Sequence, residues 1–141
     1  MKKILSVVLF AFMAVQFANA QEVDKLPVEA RNFINQSYPQ ATVSRVKVDD
    51  NLLGDNEYEV LFSNGMELEF DSRGNWTEID MKNDRVPVAI ITSSVNTYVQ
   101  NSYSANHITK IKHDKDGYEV KLNNGLKLKF DQAGTFKKVD D

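Results

Sequence analysis

The chain has 141 residues, 42% of them hydrophobic, no cysteine and a net charge of −3 at neutral pH. That apolar share belongs to a folded protein and not a disordered one. The lack of cysteine excludes disulfides, thiol nucleophiles and thiolate metal sites, and the acidic balance is a poor surface for nucleic acid, which is captured by Lys and Arg neutralising phosphates.

Met1-Lys2-Lys3 opens the chain, an apolar run follows from Ile4 to Phe17, and Ala18-Asn19-Ala20 ends it. A basic start, an apolar core and a small-x-small end predict a secretory signal peptide over 1–20, cleaved after Ala20. The run is shorter than the ~20 residues of a spanning helix. The expectation is a periplasmic or secreted protein with no membrane span after cleavage and a mature net charge of −5.

Beyond Gln21, Leu26, Ala30, Phe33, Ile34 and Tyr38 recur at three- and four-residue steps, which predicts an amphipathic helix opened by Pro27 and ended by Pro39. Val43 to Asp49 alternates as a strand. Tyr58, Val60 and Phe62 then alternate with Glu59 and Leu61, Asn64-Gly65 turns the chain, and Met66, Leu68 and Phe70 alternate with Glu67 and Glu69. Asn-Gly between alternating runs predicts a tight hairpin with both turn residues at positive φ. Gly74 marks a second turn before a short strand near Trp76 to Ile79.

Sixty residues on, the pattern returns. Between Tyr58–Asp80 and Tyr118–Asp140, ten of twenty-three aligned positions are identical, including both Asn-Gly pairs and Gly74/Gly134. The same offset pairs Pro27 with Pro87, which predicts a second helix from Pro87 with a stripe of Val88, Ile91, Val95, Tyr98 and Val99. The strand from Ile108 to His113 is offset by five further residues. The reading is α+β: two tandem helix-plus-four-strand antiparallel units, 21–82 and 83–141, in one compact domain. Trp76 and Phe136 each stand three residues before an aliphatic partner, which breaks alternation and predicts a bulge or an exposed ring.

Catalytic chemistry finds no foothold. His107 and His113, whose even spacing predicts one shared strand face, lack a third ligand for zinc, and the nucleophile elbow and phosphate-loop motifs are missing. A carboxylate pair among Glu59, Glu67 and Glu69 has no apolar pocket and no counterpart in the second unit, where Lys127 and Lys129 stand. The acidic loop 49–57 lacks the spacing of a twelve-residue calcium loop. No enzyme, cofactor or metal site is expected.

Charge partition remains. Gln21–Asp80 holds 13 acidic and 5 basic residues, Met81–Asp141 holds 7 acidic and 10 basic, and Glu67, Glu69 and Glu78 of one unit face Lys127, Lys129 and Lys138 of the other. Such a division serves attraction between the halves or recognition of a partner.

The pattern Tyr-Glu-Val, Asn-Gly, Leu-x-Phe-Asp, Gly-x-Trp/Phe and Ile/Val-Asp resembles the PepSY-like exported proteins of Bacteroides and relatives, which have a β-lactamase-inhibitor-protein-like fold. The resemblance spans about residues 23–141 and implies one curved sheet with both helices on its convex side. The inhibitor of that fold is disulfide-bonded and clasps an enzyme with its concave face. For this chain the expectation is a non-enzymatic binding module that recognises a protein or peptide at the cell envelope. The expected face consists of Arg45, Lys47, Glu59, Leu61, Glu67, Glu69, Lys121, Lys127 and Lys129. The alternatives are an inhibitor of an envelope peptidase or other hydrolase, and an envelope sensor of a small molecule or metal.

Overall fold

The computed structural model describes residues 20–140, so the signal peptide expected over 1–20 lies, but for Ala20, outside the described residues. A short helix α1 (Ala20–Val23) precedes α2 (Val28–Ser37) and the strands β1 (Val43–Asp49), β2 (Glu57–Phe62), β3 (Glu67–Phe70) and β4 (Trp76–Asp80). Then come α3 (Ser93–Ser102), β5 (Ile108–Asp114), β6 (Gly117–Leu122), β7 (Lys127–Phe130) and β8 (Phe136–Asp140). All eight strands form one antiparallel sheet in chain order, with β4 joined directly to β5.

Alternation along each strand sends one set of side chains under the helices. A central aliphatic row crosses the sheet as Val46, Val60, Leu68, Ile79, Ile111, Val120 and Leu128, each directly opposite the next and each buried. Burying an aliphatic side chain is worth about 1.5–3 kcal/mol, so this row is the main source of cohesion. A second row is aromatic: Tyr58, Phe70 and Trp76 in one half, Tyr118, Phe130 and Phe136 in the other. Both helices lie over this face. Phe33 of α2 meets Phe70 edge-on at 5.8 Å, and Tyr98 of α3 meets Phe130 edge-on at 5.5 Å.

Trp76 and Phe136 are on the helix side, and the register slips at Glu69/Phe70 and at Lys129/Phe130. One extra residue, Thr77 or Lys137, re-aims each ring towards the core, which is why strict alternation failed there.

Three local expectations are corrected. The second helix does not begin at Pro87: Pro87–Ile91 makes two successive turns, with Ile90 N–H donating to the Pro87 carbonyl at 3.0 Å and Ile91 N–H to Val88 at 3.1 Å. The helix starts at Ser93, and Val88, 50% exposed, leaves the stripe. Both helices and both following strands correspond at an offset of 65, so the true partner of Leu26 is Ile91. The five-residue difference is absorbed between β1 and β2, where residues 50–56 form a long loop; only Lys115-Asp116 separates β5 from β6. Leu52 and Leu53 stand in that loop, 107% and 91% exposed.

The Asn-Gly turns also differ from the two-residue type. Only Gly65 and Gly125 have positive φ, 90° each, while the asparagines do not. Gly65 N–H donates to Phe62 at 3.0 Å, Phe62 N–H to Met66 at 2.9 Å, and Asn64 Oδ1 accepts from Met66 N–H at 3.0 Å. This is the three-residue hairpin with glycine in the left-handed position. Finally, even spacing does not place the two histidines together. A register slip between Ile108 and Lys110 separates them: His107 approaches the Asn83 carbonyl, and His113 stacks on Tyr118 at 4.3 Å.

At the edge of the sheet, Glu22 of α1 accepts the Val46 N–H at 2.7 Å. That hydrogen bond holds its carboxyl below the usual range, helped by Lys25.

Candidate binding face

The side chains that alternate with the core make the opposite face. Arg45, Lys47, Glu59, Leu61, Glu67, Glu69, Lys121, Lys127 and Lys129 all lie on it, none of them buried. The register arranges them in two rows. One runs Lys47, Glu59, Glu69, Glu78, Lys112, Glu119, Lys129, Lys138. The other runs Arg45, Leu61, Glu67, Asp80, Lys110, Lys121, Lys127, Asp140.

The carboxylates of β2–β4 therefore form one acidic field, and the lysines of β5–β7 form a basic field beside it. Ion pairs join them at the seam: Lys110 Nζ lies 2.8 Å and Lys112 Nζ 3.9 Å from the Glu78 carboxylate. Partial burial alone lowers the Lys110 pKa, but the Glu78 hydrogen bond and charge outweigh it and hold the ammonium above its usual value. Elsewhere Lys47 reaches Glu59 at 3.8 Å and Lys129 reaches Asp140 at 3.4 Å and Glu119 at 3.8 Å. Exposed pairs of this kind add only about 0–1 kcal/mol each.

Two places still bring like charges face to face. In the acidic field Glu59, Glu69 and Glu78 stand directly opposite one another across three strands. Desolvation, the Glu78 charge and a hydrogen bond with Glu78 push the Glu69 carboxyl up to about 7. In the basic field Lys110, Lys121 and Lys127 stand opposite one another across β5–β7. Like charges facing across strands are destabilising. These lysines line a hollow of about 70 Å³ with Lys112 and Glu119.

Lys110, Lys112 and Glu119 were not among the residues expected on this face, nor was Asp80. The register could have found them, since each sits one place from a buried aliphatic residue. The seam between β4 and β5, which brings them into line, leaves no mark in the sequence.

Among the described residues, no three histidine or carboxylate side chains come together to hold a metal ion. No described helix is long and apolar enough to cross a membrane.

The fold is that of an α+β protein with an eight-stranded antiparallel sheet. The chain belongs to the family described as "Putative beta-lactamase-inhibitor-like, PepSY-like", whose model matches residues 56–138. Among solved structures it is similar to a "putative periplasmic protein of unknown function" from Bacteroides vulgatus, at 40% identity over 86% of this chain and 96% of that one, TM-score 0.82. A second periplasmic protein from Bacteroides vulgatus, also described as putative, shares 39% identity over 84% and 93% of the two chains, TM-score 0.80. A "putative calcium-regulated periplasmic protein" from Bacteroides thetaiotaomicron shares 40% identity over 84% and 93%, TM-score 0.80. No curated protein matches the chain.

Proposed function

We propose that the protein is a non-enzymatic binding module of the periplasm or cell exterior, whose charged sheet face recognises a protein or peptide. The two tandem units, 21–82 and 83–141, each supply half of that face. The observation that carries the reading is the line of Lys110, Lys121 and Lys127 around one hollow. Lys110 is already held by Glu78, so it is the pair Lys121 and Lys127 that an acidic group of a partner would relieve. The acidic field alongside fixes the orientation of a two-signed partner. The inhibitor-like description of the family supports a protein partner, and the periplasmic neighbours support the compartment. Calcium regulation is named for one neighbour and is said of that protein alone.

The test is photo-crosslinking in the cell envelope from a probe at Arg45 or Leu61, against a control probe at the helix-side Gln100. One partner should be captured from the sheet face alone, with yield falling about tenfold in Lys121→Glu/Lys127→Glu and at high salt. Equal capture from Gln100, or a yield indifferent to the charge reversal, would sink the proposal.

A further inference from the structure

The helix side of the sheet holds a second feature, independent of the charged face. Between α2, the start of β4 and the end of β5 lies an open cleft of about 700 Å³, within the size range of small-ligand sites. Phe33 and Trp76 line it, and His113 closes the far side.

The matching place under α3 is filled. Tyr98 lies flat on Phe136, centroids 4.4 Å apart and planes at 10°. Under α2 the equivalent rings do not stack on each other. Phe33 turns to Tyr38 and Phe70, and Trp76 leans on His113 at 5.8 Å. His113 is fixed in turn, stacked on Tyr118 and within 3.2 Å of Gln132 Oε1. The indole is therefore held as a rigid wall beside open space.

The rim is polar and acidic: Glu29, Asp71 and Asp114 stand against one lysine, Lys115, a net formal charge of −2. Asp71 is occupied by its own turn, accepting from the Arg73 and Asn75 N–H groups at 2.9 Å each and from Asn75 Nδ2 at 3.3 Å. Asp114 accepts the Asp116 N–H at 2.8 Å. Glu29 and Lys115 complete the charged groups of the rim. Asn32 and Gln36 follow Glu29 at steps of three and four along α2, so their amides reach the cleft on one line. An aromatic wall facing amide donors and acceptors, with carboxylates at the rim that accept from hydroxyls, suits a molecule with one C–H face and hydroxyls around its edge.

We propose that this cleft binds a neutral saccharide of mono- or disaccharide size, stacked on Trp76 and hydrogen-bonded by Asn32 and Gln36. Trp76 is the only tryptophan in the chain, so its emission reports the cleft directly. The purified protein is titrated to about 50 mM with maltose, cellobiose, lactose and chitobiose, where affinities of about 1 mM saturate. At least one sugar should shift the Trp76 emission saturably, and Asn32→Ala/Gln36→Ala should weaken it about tenfold. Isotope-edited NMR shifts should map that sugar to α2 and β4, and Trp76→Phe should still bind it. No saturable response to any of the sugars overturns the proposal. A response that the double variant leaves unchanged, or one given by choline or arginine and by no sugar, overturns it equally.

Discussion

Under α3, Tyr98 covers Phe136 and the space between helix and sheet is closed; under α2, Phe33 and Trp76 part and the space stays open. The two regions share their elements, their bulges and their aromatic positions. They differ in which neighbour each bulged ring finds. Phe136 is on the last strand and packs on Tyr98 of α3 and Phe130 of β7 with no further strand beside it, whereas Trp76 has β5 beside it and His113 within reach. The position in the sheet, more than the kind of ring, decides whether the helix is sealed to it.

The largest effect expected from breaking that contrast is on stability. Phe136→Ala removes a half-buried ring from a stack and should cost about 2 kcal/mol, below the 3–5 of a fully buried phenylalanine. Trp76→Ala should cost at least about 1 kcal/mol less, because one side of the indole already faces the cleft. Urea denaturation of the pair measures the difference. A larger loss for Trp76→Ala would mean that the first region is as tightly sealed as the second.

Next come Gly74 and Gly134, which meet the helix starts at φ of +89° and +83°. An alanine at either position carries about 1 kcal/mol of left-handed strain. At Gly74 the added Cβ would also fall 2.8 Å from the Ala30 backbone nitrogen, which cannot move without the helix. At Gly134 it meets the Ser94 hydroxyl, which can rotate at the cost of its 3.1 Å hydrogen bond to Ala133. Gly74→Ala should therefore be the more damaging, with a melting temperature several degrees below that of Gly134→Ala, about 4 °C per kcal/mol for a domain of this size. Equal melting temperatures would show that α2 yields as easily as the serine.

The smallest effect separates the two fields of the charged face. Glu69, pushed up to about 7 from its ordinary 4.5, binds a proton in the folded state that the unfolded chain has released. Stability contributed there is whole below about pH 4.5 and is lost as pH rises through about 7. Because Glu69 is exposed, solvent screening keeps the loss under about 1 kcal/mol. Glu69→Gln should flatten the fall between about pH 5 and about pH 8, while Lys129→Gln, at the matching place on β7, should leave it. An unchanged slope in Glu69→Gln would remove this difference between the fields.

Much of the fold is legible in the sequence, because the signals that make it are local. Alternation at Tyr58–Phe62 and at Tyr118–Leu122 fixes both hairpins, and the three- and four-residue spacing from Leu26 to Tyr38 fixes α2. The errors arose where a signal depended on something remote. Pro87 looks like a helix start by analogy with Pro27, but the five extra residues before β2 shift the correspondence, and Thr92 takes the position before the helix instead. The charged face is half legible: its members on β2 and β3 follow from alternation, while Glu78, Lys110 and Lys112 meet only through the β4–β5 pairing. The cleft is not legible at all. Its wall is defined by Trp76 choosing His113, a partner thirty-seven residues away.

An eight-stranded sheet that does not close has two free margins, and each could template a strand from another molecule. At β1 the Glu22 carboxylate occupies the Val46 N–H that such a strand would need. At β8 the protection is of another kind: five residues, a bulge, and Lys137 and Lys138 side by side. The two ends thus resist strand addition by different chemistry. Acid would protonate Glu22 and bare the first margin, while the lysines of the second keep their charge, so association at low pH should proceed through β1.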